Sequence, residues 1–227
     1  MLRSHTPSPF DAFDREAARR YDDWYATPAG QAMAVAEETL LAQLLSRFPD
    51  AASLLEVGSG TGHFARWFAA RGLRVTGVDT VPAMLAVAQA AGGGPVYARA
   101  AAAQLPFATA SHDLAAFVTS LEFVPEPQAA LREAARVARR GLLLGVLNLA
   151  SILGLSRRVQ DLWRPSLYRS AHFYTPWELA ALVRRALGER VRALVWRTTL
   201  WPRWTPGPLR RLPGGAFIAA AVTLGPP

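Results

Sequence analysis

The chain contains no cysteine and no lysine. Without thiols there are no disulfides, no thiolate metal ligands and no cysteine nucleophile. The four histidines, His5, His63, His112 and His172, are dispersed. None belongs to an H-x-x-x-H pair or a carboxylate triad, so no metal site is expected. Long apolar runs are missing as well. The uncharged stretches 141–156 and 212–227 are broken by Gly, Asn, Ser, Thr or Pro and read as buried strands with turns, not as a membrane span. The N-terminus has no apolar core of the signal-peptide kind, which makes a cytoplasmic location the expectation.

With no lysine, every one of the 25 basic residues is arginine, against 17 acidic ones, for a net charge of +8. The excess is local. Residues 157–211 hold twelve arginines against Asp161, Glu178 and Glu189, and five of the seven tryptophans lie in the same stretch. Arginine mixed with aromatics suits nucleic acid, an anionic substrate or a membrane surface, but no run of five or more basic residues occurs. Solvated helix faces are the favoured reading. A chain of 227 residues that is 51% hydrophobic can bury a large core as a single α/β domain.

The most informative stretch is Leu54-Leu55-Glu56-Val57-Gly58-Ser59-Gly60-Thr61-Gly62-His63-Phe64. A β-preferring run feeds a glycine cluster, and a helical pattern with Phe64, Trp67 and Phe68 on one side follows, so the order is strand, tight turn, helix. A dinucleotide fingerprint wants its third glycine one position later, where this chain has His63. A second apolar strand over 73–78 ends at Asp79. Parallel pairing sets Asp79 beside the glycine turn, where its carboxylate can accept both hydroxyls of a ribose. No arginine lies inside the turn to meet a pyrophosphate, which favours a phosphate-free nucleoside.

Three blocks, LLEVGSGTGHFARWFAARG (54–72), VTGVDTVPAML (75–85) and the segment 103–148 that opens AQLPFATASHDLAAF, resemble the class I S-adenosylmethionine-dependent methyltransferases of the small-molecule kind called methyltransferase type 11. The segment FDREAARRYDDWYATPAG (13–30) is similar to that family's entry segment, and the resemblance covers roughly residues 10–180. It implies S-adenosylmethionine as cofactor. Gly58, Ser59, Gly60, Thr61 and Gly62 would shape the turn around its methionine part, and Glu56 would bond turn amides or the cofactor's amino group. Asp79 would hold the ribose, with Thr80 and Met84 near the adenine. Thr119, Ser120 and Phe123 would line the cleft floor, and Tyr21, with Trp24, would close over the cofactor. Two positions depart from the family. An acidic residue that bonds the adenine amino group is replaced by Ala101, leaving backbone near Ala102, or Gln104, as substitutes. Arg139-Arg140-Gly141 stands where a Pro-Gly-Gly turn is common.

Residues 1–9 read as a loose tail and 10–47 as N-terminal helices. Strands are expected near 53–58, 73–78, 95–99, 113–119, 141–147, 190–200 and 215–224, in a doubly wound, seven-stranded, mostly parallel sheet whose mixed order the resemblance implies. Residues 151–175 interrupt the alternation as a cap insertion, before a helix opened by the capping box Thr175…Glu178.

The implied reaction is an SN2 displacement at a sulfonium methyl, which needs in-line geometry, little water and tolerance of a cation. Aromatic faces suit it, so Trp24, Tyr25, Phe123 and Tyr174 are candidate walls for the acceptor. Asn148, at the end of the fifth strand, is placed either to orient an acceptor or to cap the chain. His172, in the insertion, is the candidate general base for a protonated acceptor. The expected function is methyl transfer to a small-molecule acceptor through O, N, C or S. The rivals are an RNA or protein methyltransferase using the Arg-rich third and a degenerate module that binds cofactor without turnover.

Overall fold

The computed structural model describes residues 15–151, 155, 171–201, 205 and 212–226, apart from the side chains of residues 15–17 and 19–21. The tail expected at 1–9 and most of the insertion expected at 151–175 lie outside the described residues. Two helices, α1 (Arg15–Ala26) and α2 (Pro28–Leu45), precede the first strand. Then come β1 (Ser53–Val57), α3 (His63–Ala69), β2 (Arg74–Asp79), α4 (Pro82–Ala91), β3 (Val96–Arg99), β4 (His112–Val118), α5 (Pro127–Val137) and β5 (Ala138–Leu147). α6 (Pro176–Leu187), β6 (Val191–Thr199) and β7 (Phe217–Leu224) complete the described fold.

The strand order is β3-β2-β1-β4-β5-β7-β6, the mixed seven-stranded sheet expected. The first five strands run parallel, and β7 is antiparallel to both β5 and β6. Because strand side chains alternate, neighbouring residues feed opposite layers. Leu55, Ala115, Leu142 and Leu144 pack with α5 and α6 on one face. Leu54, Leu114 and Leu143 pack with Leu41 of α2 and Phe64 and Phe68 of α3 on the other. A sheet covered on both faces buries every position of a central strand, so β1 is buried throughout, its polar Ser53 and Glu56 included.

Arg139-Arg140-Gly141 is not a turn. α5 ends at Val137 and β5 starts at once, with both arginines inside the strand. Their Nε atoms donate to Asp113 Oδ1, at 2.9 Å from Arg139 and 3.2 Å from Arg140. Asp113 Oδ2 takes Ala52 N and Ser53 N, so one buried carboxylate ties β1, β4 and β5 together. Gly141 is required by close approach: a Cβ there would stand 2.5 Å from the Phe48 ring and from Val222 O. α6 opens with the expected capping box, Glu178 N donating to Thr175 Oγ1 and Thr175 N to Glu178 Oε2. Among the described residues no helix is long and apolar enough to cross a membrane.

Candidate functional site

The order of the sheet reverses between β1 and β4, and loops leaving the carboxyl ends of adjacent strands part there. The glycine turn fills this opening. Gly58 N and Ser59 N both donate to Val78 O, at 2.7 and 2.9 Å, which pins the turn to the end of β2. Gly58, Gly60 and Gly62 have φ of 74°, 52° and 81°. A Cβ on Gly58 would lie 2.5 Å from Ser120 Cβ, and Ser120 Oγ is itself bonded to Val57 O. Gly58→Ala is therefore expected to cost at least about 1 kcal/mol in backbone strain alone, read as a lower midpoint in urea.

Asp79 reaches across from β2. Its Oδ2 accepts from Gly60 N at 2.9 Å and its Oδ1 from Val81 N at 2.8 Å. Burial pushes its carboxyl above the ordinary range, and the backbone bonds from Val81 and Gly60 work against that. Each carboxylate oxygen keeps a second lone pair for a ligand hydroxyl.

A cavity of about 390 Å³ opens over the turn, within the range of small-ligand sites. Glu56, Gly58, Ser59, Gly60, Thr61, Asp79, Thr80, Met84, Ala101, Ala102, Thr119, Ser120, Tyr25 and Phe123 line it, among the residues expected there. Glu56 Oε2, Ser59 Oγ and Thr61 Oγ1 are buried and have no hydrogen-bond partner. Orphaned polar atoms of this kind in a cavity wall are sites for a ligand to satisfy. Burial, then the charge of Asp79, pushes Glu56 far above the usual carboxylate range, so a cationic ligand group beside it would restore its charged form. Turn, ribose-type acceptor and cation partner together fit a sulfonium nucleoside with an amino acid tail. Thr119 stands at φ 50°, an outlier for a β-branched residue, held by Thr119 N bonding Gly145 O at 2.8 Å.

Several expected residues are elsewhere. His172 does not line the cavity; its side chain is 58% exposed and its Nε2 pairs with Glu178 Oε1 at 2.6 Å. The 171–174 segment is tied to the end of β5, Tyr174 N donating to Leu147 O at 3.1 Å, which places His172 apart from the cavity lining. Asn148 is fully buried, its Nδ2 donating to Pro213 O and Gly215 O and its Oδ1 accepting Ala150 N. Its amide is used in holding the chain, the capping alternative of the two expected for it. Tyr174 is buried beneath the floor, with its hydroxyl 3.5 Å from Leu121 O, and is not a wall. Trp24 is 38% exposed and off the lining, and Gln104 bridges Ala101 through its backbone outside it. The Tyr21 side chain lies outside the described residues.

The cavity also takes residues not expected from the sequence: His63, Phe64, Val81, Ala100, Ala103 and the rim Val124, Pro125 and Glu126. Burial first, then the Arg66 guanidinium, pushes His63 down to about 4 against the pull of Asp22, so its imidazole is neutral at neutral pH. Its departure from the dinucleotide fingerprint was the available signal.

Residues 55–144 match the family described as Methyltransferase domain. An uncharacterized methyltransferase of Mycobacterium sp. (strain JLS) is 39% identical over 106 residues, 47% of this chain and 42% of that protein. An uncharacterized protein of Mycobacterium tuberculosis (strain ATCC 25618 / H37Rv) is 32% identical over 174 residues, 76% of this chain and 58% of its own length. The chain thus spans about two fifths of the length of the first of these relatives. A solved S-adenosylmethionine-dependent methyltransferase of Thermotoga maritima aligns with TM-score 0.74 and 25% identity, covering 95% of this chain and 97% of that one.

Proposed function

We propose that this chain, which carries a class I S-adenosylmethionine-dependent methyltransferase domain, transfers a methyl group from that cofactor to a small-molecule acceptor. The observation that carries the reading is the glycine turn bonded to Asp79, beside the orphaned oxygens of Glu56, Ser59 and Thr61. Asp79 and the turn would hold the nucleoside, Glu56 the amino group, and Thr80, Val81 and Met84 the base. When bound, the cofactor supplies an electrophilic methyl on a sulfonium sulfur.

The chain's part is to bind, align and keep water out. Val118, Thr119, Ser120 and Phe123 form the floor under the reacting region, and Val124 and Pro125 continue it as an apolar rim. Such a surface excludes water and tolerates a cation whose charge falls in the transition state. The small-molecule reading is supported by the charge distribution. Among the described residues, Arg184, Arg185, Arg192 and Arg197 are exposed on α6 and β6, and no arginine lines the cavity.

Calorimetric titration with S-adenosylmethionine and S-adenosylhomocysteine tests the reading, followed by methyl transfer to a panel of small hydroxyl, amine and thiol acceptors. Micromolar cofactor binding with transfer to a member of the panel is expected. Cofactor binding with transfer only to RNA, and binding that falls steeply with salt, would replace it. At the adenine end the lining is four alanines, Ala100 to Ala103. Ala101→Asp is expected to tighten S-adenosylhomocysteine about tenfold by adding a charge-assisted bond, measured in the same titration.

A further inference from the structure

Beside the glycine turn, two helices from outside the alternating core meet a single side chain. Tyr25, near the end of α1, lies face to face on the imidazole of His63, ring centres 3.9 Å apart and planes 11° from parallel. Phe64 stands edge-on to both rings, and Trp24 edge-on to Tyr25. From α2, Glu38 Oε1 approaches the buried His63 Nε2 to 3.2 Å. The two atoms are close but not hydrogen-bonded, and Nε2 is left without a partner. One turn along α3, Arg66 sits 3.7 Å from Asp22 of α1. Both members of the stack line the cavity.

We propose that the Tyr25–His63 stack is a latch that holds α1 over the glycine turn and so retains the bound sulfonium nucleoside. The inference rests on the function proposed above. Three features make the arrangement suited to it. α1 has only 12 residues, too few for a stable helix by itself, so its position depends on contacts such as these. The stack is part of the wall, so releasing α1 opens the cavity at the same stroke. An uncharged imidazole also does not repel a cation, and the surroundings of His63 keep it uncharged.

The latch is tested by the dissociation rate of S-adenosylhomocysteine, followed by tryptophan fluorescence. Tyr25→Ala and His63→Ala are each expected to release it about tenfold faster, the double variant no faster than either, and His63→Phe, which keeps a stacked ring, within about twofold of wild type. Wild-type protein that binds no S-adenosylhomocysteine would overturn the proposed function itself. Wild-type protein that binds it, with single variants releasing it at the wild-type rate or with additive effects in the double, would overturn the latch alone.

Discussion

Replacing Asp79 with alanine is expected to weaken S-adenosylhomocysteine binding by more than about a hundredfold, because two losses coincide. The first is direct: the proposed ribose contact is a pair of charge-assisted bonds, each worth about 1.5–3 kcal/mol. The second is the turn itself. Asp79 Oδ2 accepts Gly60 N, and without it the middle of the turn loses its anchor to β2. Val81 N, at the start of α4, loses its partner as well. A ligand would then have to order the turn as it binds. Titration of the variant should therefore show the affinity falling with a larger entropic penalty. Affinity within tenfold of wild type would remove Asp79 from the site.

Glu122→Gln is expected to stabilise the protein at pH 8 by on the order of 3 kcal/mol and to change little at pH 4.5. Glu122 follows the strained Thr119 by three residues and is 2% exposed. Its Oε1 accepts Leu147 N at 2.7 Å, while Oε2 is buried without a partner. Burial dominates and pushes the carboxyl from 4.5 to about 7, against the bonds from its own and the Leu147 amide. The sign follows from proton uptake. Between pH 4.5 and 7 the folded protein holds a proton that the unfolded chain has released, so this group's stabilising contribution is complete below pH 4.5 and is lost as pH rises through 7. Glutamine keeps an acceptor for Leu147 N and never ionises. Urea unfolding of both proteins from pH 4.5 to 8.5 measures it, and a difference that does not grow with pH would refute the assignment. The same group lies next to Phe123 of the floor, so the floor is built over a carboxyl that charges near neutrality.

Much of the site could be read along the chain because its parts are contiguous. Gly58, Gly60 and Gly62 take left-handed φ within one five-residue turn, and Asp79 lies one βαβ step further on, where parallel pairing brings it back. Such relations depend on local order and on one register, and both are written in residue types. Arg139 and Arg140 misled because a basic pair before a glycine looks like a turn. Only the distant Asp113 makes them part of a strand. The surroundings of Asn148 and His172 were not legible for a related reason. Each sits where an acceptor residue belongs in the order of elements, but its side-chain direction was decided by partners 65 and 6 residues away, at Pro213 and Glu178.

What the sequence by itself determined is the alternation of buried strands and amphipathic helices, the turn, and the acid that holds it. Periodicity and backbone freedom are properties of a few neighbouring residues, and the hydrophobic effect acts on them wherever the chain goes. Only the tertiary structure decided that His63, Glu38 and Tyr25 meet, and that Glu56 is left with an unpartnered oxygen in the cavity wall. Those outcomes depend on how α1 and α2 dock against α3 and on which groups lose their water in doing so. Docking is set by the shape of two packed layers, and that shape is a sum over the whole core, not over any one segment of it.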